Sequence, residues 1–121
     1  MSGFGRNIRP FVQVELIAAG ACLTRREFAA SFRHLECAHV LGQSSTVEHV
    51  RVHWAMLLWS VKRHDAREAA GQIFRIIGAT TMTGVGLVPD GNTGGSHVSP
   101  FLRMPVPTDL AALIAEARAR N

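Results

Sequence analysis

Four of the six histidines in this chain fall inside one stretch, HLECAHVLGQSSTVEHVRVHW, which runs from His34 to Trp54. Imidazole binds transition metals and moves protons near neutral pH, so the spacing within the stretch decides what chemistry is open to it. His49 and His53 are four residues apart. On a helix such residues project from one face, which is a metal-ligand spacing. Glu36 and His39 form one E-x-x-H pair, the spacing by which helical bundles present a carboxylate and an imidazole together. The residue after His49 is Val50 rather than Glu, so the H-E-x-x-H pattern of zinc peptidases is absent. Glu15 is the only charged residue in PFVQVELIAAGACL. A helix apolar on nearly every side is usually buried, and a buried carboxylate requires a cation or hydrogen-bond donors. The expected site is therefore Glu15, His39, His49 and His53, with Glu36 and His97 in support. Imidazoles with one carboxylate suit zinc, iron or manganese.

Each residue also has a plainer role. His39 lies in the last turn of a helix, where positive charge complements the dipole. Glu15 can pair with an arginine, and His49 and His53 can face solvent. His34 projects off the apolar stripe of its helix and is expected to face solvent, and His64 falls in a turn. Cys37 reads as a packing residue. Cys22, close to Arg25 and Arg26, has no histidine assigned to it, so nucleophilic catalysis lacks a base. DGNTGG is neither a phosphate-binding loop nor a dinucleotide fingerprint, because the Lys-Ser/Thr ending and a preceding strand are missing.

The elements that must hold these residues are all helical. The pattern predicts one domain over 1–121, with two antiparallel hairpins over 8–78, an ordered irregular strap rich in Gly and Pro over 79–107, and a last helix over 108–121. The first helix is expected from about Pro10, a residue suited to a first turn. In the second, Thr24 and Glu27 read as a capping box and Gly42 as a left-handed stop. In the third, Ser45 and Glu48 repeat the box, and Val47, Val50, Trp54, Leu57, Leu58 and Val61 form the expected core stripe. Thr108 reads as the cap of the last helix. REFAASFRHLECA and DAREAAGQIFRIIGA occupy equivalent places about 40 residues apart, which resembles the tetratricopeptide type of hairpin, repeated every ~34 residues. With two units only, an ordinary helical bundle is the alternative.

Composition narrows the class. The chain has 121 residues, 47% of them hydrophobic, and a net charge of +4. Thirteen Lys and Arg are scattered, with no basic run and no interleaved aromatics, so nucleic acid is not an expected partner. No apolar run approaches the roughly 20 residues of a membrane span. Two cysteines make no disulfide framework, and the start MSGFGRNIRP lacks a signal peptide's apolar segment. The expected location is the cytoplasm.

Two blocks, AHVLGQSSTVEHVRVHWAMLLW and GLVPDGNTGGSHVSPF, together resemble a family of small bacterial proteins known only as a domain of unknown function. The resemblance spans about Ile8 to Ala115. It implies a bacterial origin and a single whole-chain domain, and it makes the histidine block and the glycine strap parts of one site. It implies no activity. The expected function is therefore binding of a transition-metal ion, with any reaction left open. The alternative is a tetratricopeptide-like adaptor gripping a protein partner in its groove. A homodimer through the apolar first helix is compatible with either.

Overall fold

The structure, a computed structural model, describes residues 2–82, 90–95, 98–99 and 102–120. Five helices follow one another: α1 (Gly3–Thr24), α2 (Phe28–Gly42), α3 (Thr46–Lys62), α4 (Ala66–Met82) and α5 (Thr108–Ala119). Among the described residues there is no strand. α1 packs on α2 and α3 on α4 as two hairpins. α2 and α3 join the hairpins, and α5 lies against α1 and α2. Among the described residues no helix is long and apolar enough to cross a membrane.

The two hairpin turns use one device. Arg26 and His64 both adopt positive φ, 59° and 58°, and the amide after each reaches back to the preceding helix, Glu27 to Cys22 and Asp65 to Ser60, both at 2.9 Å. The equivalence seen in the sequence is thus an equivalence of turns. Asp65 then caps α4 by accepting from the Glu68 amide at 3.0 Å, and Ser45 caps α3 through the Glu48 amide.

Other local expectations are corrected. α1 starts at Gly3, capped by Ser2, and Pro10 lies inside it, because Ile8 and Val12 are fully buried and carry the core one turn further back. Thr24 ends α1, its hydroxyl donating to the Gly20 carbonyl at 3.0 Å. It does not cap α2, whose first turn has no side-chain cap. Gly42 is helical rather than left-handed. Its missing side chain serves close approach instead, since a Cβ there would lie 3.0 Å from Glu48 Cβ. Thr108 is the first residue of α5 and makes no cap hydrogen bond.

The largest correction concerns α3. Trp54, Leu58, Val61 and Val47, expected in the core, are exposed, with Trp54 at 55%. The buried face is the opposite one, with Glu48, His49, Val52, His53, Met56, Trp59 and Ser60. α1 likewise leaves Val14 and Ile17 exposed, so it is not buried all round. The core beneath consists of Ile8, Val12, Leu35, Leu41, Val52, Met56 and Leu110 with small alanines, and Phe32 and Phe28 close on Trp59 at ring-centroid distances of 4.6 and 6.5 Å.

Candidate metal centre

Turning the polar face of α3 inward brings His49 and His53 against the end of α2. There His39 Nε2 lies 3.0 Å from His49 Nε2 and 3.0 Å from His53 Nε2. All three imidazoles are buried, at 3%, 8% and 2% exposure for His39, His49 and His53. They form the group among the described residues with the composition and spacing to hold a metal ion.

Their far edges are fixed by hydrogen bonds. His39 Nδ1 lies 2.6 Å from the Asn92 carbonyl oxygen. A carbonyl only accepts, so Nδ1 carries the proton and the neutral ring presents a bare lone pair at Nε2. His53 Nδ1 lies 2.5 Å from Gln72 Oε1. The Gln72 amide is oriented by its nitrogen, which donates to Glu68 Oε1 at 2.8 Å and to the Gly94 carbonyl at 3.0 Å. His53 therefore also presents a bare Nε2. Two lone pairs face each other at hydrogen-bond distance with no proton assigned between them.

Protonating a ring is not an easy escape. Burial, followed by the neighbouring imidazoles, holds His39 well below the ordinary imidazole range. Burial, followed by His53, lowers His49 to about 3. Burial lowers His53 to about 4 against the opposing effect of the Gln72 hydrogen bond. A cation between the three nitrogens would satisfy the facing lone pairs. A tetrahedral ion with bonds of about 2.0–2.1 Å holds its donors roughly 3.3 Å apart; the His39–His49 and His39–His53 pairs are a few tenths of an ångström closer than that, and the three donor atoms all lie within 4.8 Å of one another.

Part of the strap forms the roof. Gly94, at φ +85°, lies so close over His39 that a Cβ would sit 2.5 Å from its Cδ2. Asn92 anchors this segment, donating to the Ser99 and Leu102 carbonyls at 2.8 and 2.7 Å and accepting from the Gly94 amide at 2.9 Å.

Glu15 and Glu36 are placed elsewhere. Glu15 pairs with His34 at 2.7 Å on the outer side of the α1–α2 hairpin. The structure therefore does not bring Glu15 to the cluster, and His34 is its hydrogen-bond partner rather than a purely solvated ring. Glu36 lines a separate cleft of about 670 Å³ whose walls include Phe28, Phe32, Trp59, Arg33 and Arg63. His97 lies outside the described residues. Glu48, read as a capping residue, has a fully buried carboxylate that pairs with Arg51 at 3.0 Å and faces Arg9 at 3.6 Å.

Sequence reasoning missed Gln72, Glu68 and Asn92. One signal was available, because Glu68, Gln72 and Arg75 are spaced four and three apart and make a polar row along α4. For Asn92, inside a turn-rich segment, no local signal distinguished a support from a loop residue.

No curated protein and no solved structure matches the chain. A family model described as "Protein of unknown function (DUF3703)" matches residues 6–114. The chain belongs to that family.

Proposed function

We propose that the protein binds one divalent transition-metal ion, zinc foremost, through Nε2 of His39, His49 and His53. The observation that carries this reading is the meeting of the His39 and His53 Nε2 atoms at 3.0 Å while both Nδ1 atoms are committed to oxygen acceptors. Neutral imidazoles suit zinc, with iron and manganese less well matched to an all-nitrogen set. Three protein ligands leave a coordination position for water or an exogenous group, the arrangement of reactive rather than purely structural sites. When bound, such an ion lowers the pKa of a coordinated water and polarises oxygen ligands. Gln72 and Asn92 fix the tautomers and the ring planes, as the outer partners of metal-bound histidines do.

The test is the metal content of untagged protein prepared without chelator, with His39→Ala and His53→Ala alongside. About one equivalent of metal, lost in both variants, is the expected result. Folded wild-type protein that is metal-free and takes up no added zinc, cobalt or iron refutes the reading.

We also propose that a second copy of the chain covers the outer face of α3 and α4. Val47, Trp54, Leu58 and Val61 with Ile73, Phe74 and Ile77 are all exposed there, Phe74 at 64%. Residues of these sizes at these exposures present on the order of 800 Å², one partner's share of a standard interface. A two-fold axis lets the same face serve both partners.

A further inference from the structure

The centre contains more unbalanced polarity than the histidines account for. Arg75 lies on α4 one turn beyond Gln72, and is buried at 8% exposure. Its Nη2 donates to the Val98 carbonyl, but its Nε–H is buried with no hydrogen-bond partner. Thr93 stands between the two residues that touch His39, Asn92 and Gly94, and its hydroxyl is likewise buried with no partner. Orphaned buried donors are rare, and each implies a group that is missing from the picture. Both belong to elements that pack on the histidines, Arg75 to the helix that carries Gln72 and Thr93 to the segment over His39.

Charge points the same way. The Arg75 guanidinium lies near enough to His39 and His53 to act on both electrostatically. An arginine remains charged in any protein environment. Three neutral imidazoles bring no negative charge to the ion they would hold. Glu68, which bonds Gln72 and acts on His53 and Arg75, supplies one carboxylate. A divalent ion plus a guanidinium against that single carboxylate leaves a buried excess of positive charge, which is costly without an anion.

We propose that a small oxyanion, of the carboxylate or carbonate class, occupies the coordination position that the histidines leave open, held by Arg75 Nε–H and Thr93 Oγ1–H. This rests on the metal reading above and deepens it. The ion and the guanidinium share one ligand, whose oxygens neutralise both. Arginine's planar fork is the side chain best matched to such a group. The centre then selects oxyanions over neutral ligands of the same size, because a neutral molecule leaves the buried charge excess in place.

Cobalt-loaded protein tests this, because the visible spectrum of cobalt reports its ligands. Acetate, bicarbonate and inorganic phosphate would be titrated separately into wild type, Arg75→Lys and Thr93→Val. The expected result is a saturable spectral change with acetate or bicarbonate, and a response to phosphate alone overturns the proposed class. That anion should bind about tenfold or more weakly to Arg75→Lys, and several-fold more weakly to Thr93→Val, from loss of a charge-assisted and a neutral hydrogen bond. Cobalt affinity should change much less. Thr93→Val conserves shape and keeps the test alive if Arg75→Lys does not fold. Cobalt bound without any anion response overturns the anion site alone, as does an anion affinity equal in wild type and both variants. Failure to take up cobalt overturns the metal reading, and the anion site with it.

Discussion

Replacing Gln72 with methionine tests the tautomer argument at its weakest point. Gln72 is fully buried, and methionine fills nearly the same volume, so no cavity opens. The change strips acceptor and donor together. His53 Nδ1–H, one Glu68 oxygen and the Gly94 carbonyl each lose a partner. A buried group left unsatisfied costs about 1–3 kcal/mol. In the metal-free protein part of that loss is recovered, because His53 is released to move its proton to Nε2 and donate to His39. The ion must then displace that proton, so zinc affinity should fall about 10–100-fold. That is about 1.4–2.7 kcal/mol. Competition with a chromophoric chelator measures it, and nitrogen NMR of the imidazoles in metal-free wild type reads the tautomers directly. Gln72→Glu keeps an oxygen against His53 Nδ1 and should retain zinc affinity, even though its charge beside Glu68 destabilises the metal-free fold. Zinc affinity within about twofold of wild type in Gln72→Met would refute the reasoning, as would His39 or His53 protonated on Nε2 in metal-free wild type.

Four further outcomes are expected. His53 and His49, lowered to about 4 and about 3, lie below the unfolded value near 6.5, so the folded metal-free protein binds fewer protons than the unfolded chain. Its stability should be full above about pH 6.5 and fall as the pH drops toward these folded values, by about 2 kcal/mol per histidine between pH 7.5 and 5. Urea unfolding at the two pH values measures this, and His53→Gln should flatten the profile. Gly94→Ala puts a Cβ onto the His39 ring at positive φ and should lower zinc affinity at least tenfold, at a cost of about 1–3 kcal/mol in stability. Gly20→Ala, in α1 with nothing within 4 Å of the new atom, should stabilise the protein by about 0.5–1 kcal/mol in thermal unfolding. Sedimentation equilibrium should show a dimer for wild type and a monomer for Leu58→Glu with Phe74→Glu, and a wild-type monomer at all concentrations would refute the proposed interface.

Local signals were legible where the chemistry is local. Ser45 ahead of α3, the break at His64 and Asp65, and the four-residue spacing of His49 and His53 depend only on neighbours along the chain, and the structure retains all three. The joining of His39 to that pair was also anticipated, because an imidazole among Phe28, Phe32 and Leu35 must find a partner. Glu15 went astray for the reverse reason. A lone carboxylate in an apolar segment looks buried, yet α1 leaves Val14 and Ile17 exposed and turns Glu15 to His34.

What the sequence by itself determined is the all-helical class and the succession of helices, since periodicity acts within a few residues, and the set of imidazoles from which a site could be made. What only the tertiary structure decided is which side of α3 faces inward. One side is the more apolar, with Val47, Trp54, Leu58 and Val61, and transfer free energy alone would bury it. The other side is buried instead, because His49 and His53 meet His39, Gln72 reaches His53 from α4, and Gly94 closes over the top. Those partners lie between 10 (His39 to His49) and 55 (His39 to Gly94) residues apart in the chain, and no local pattern records that they will meet.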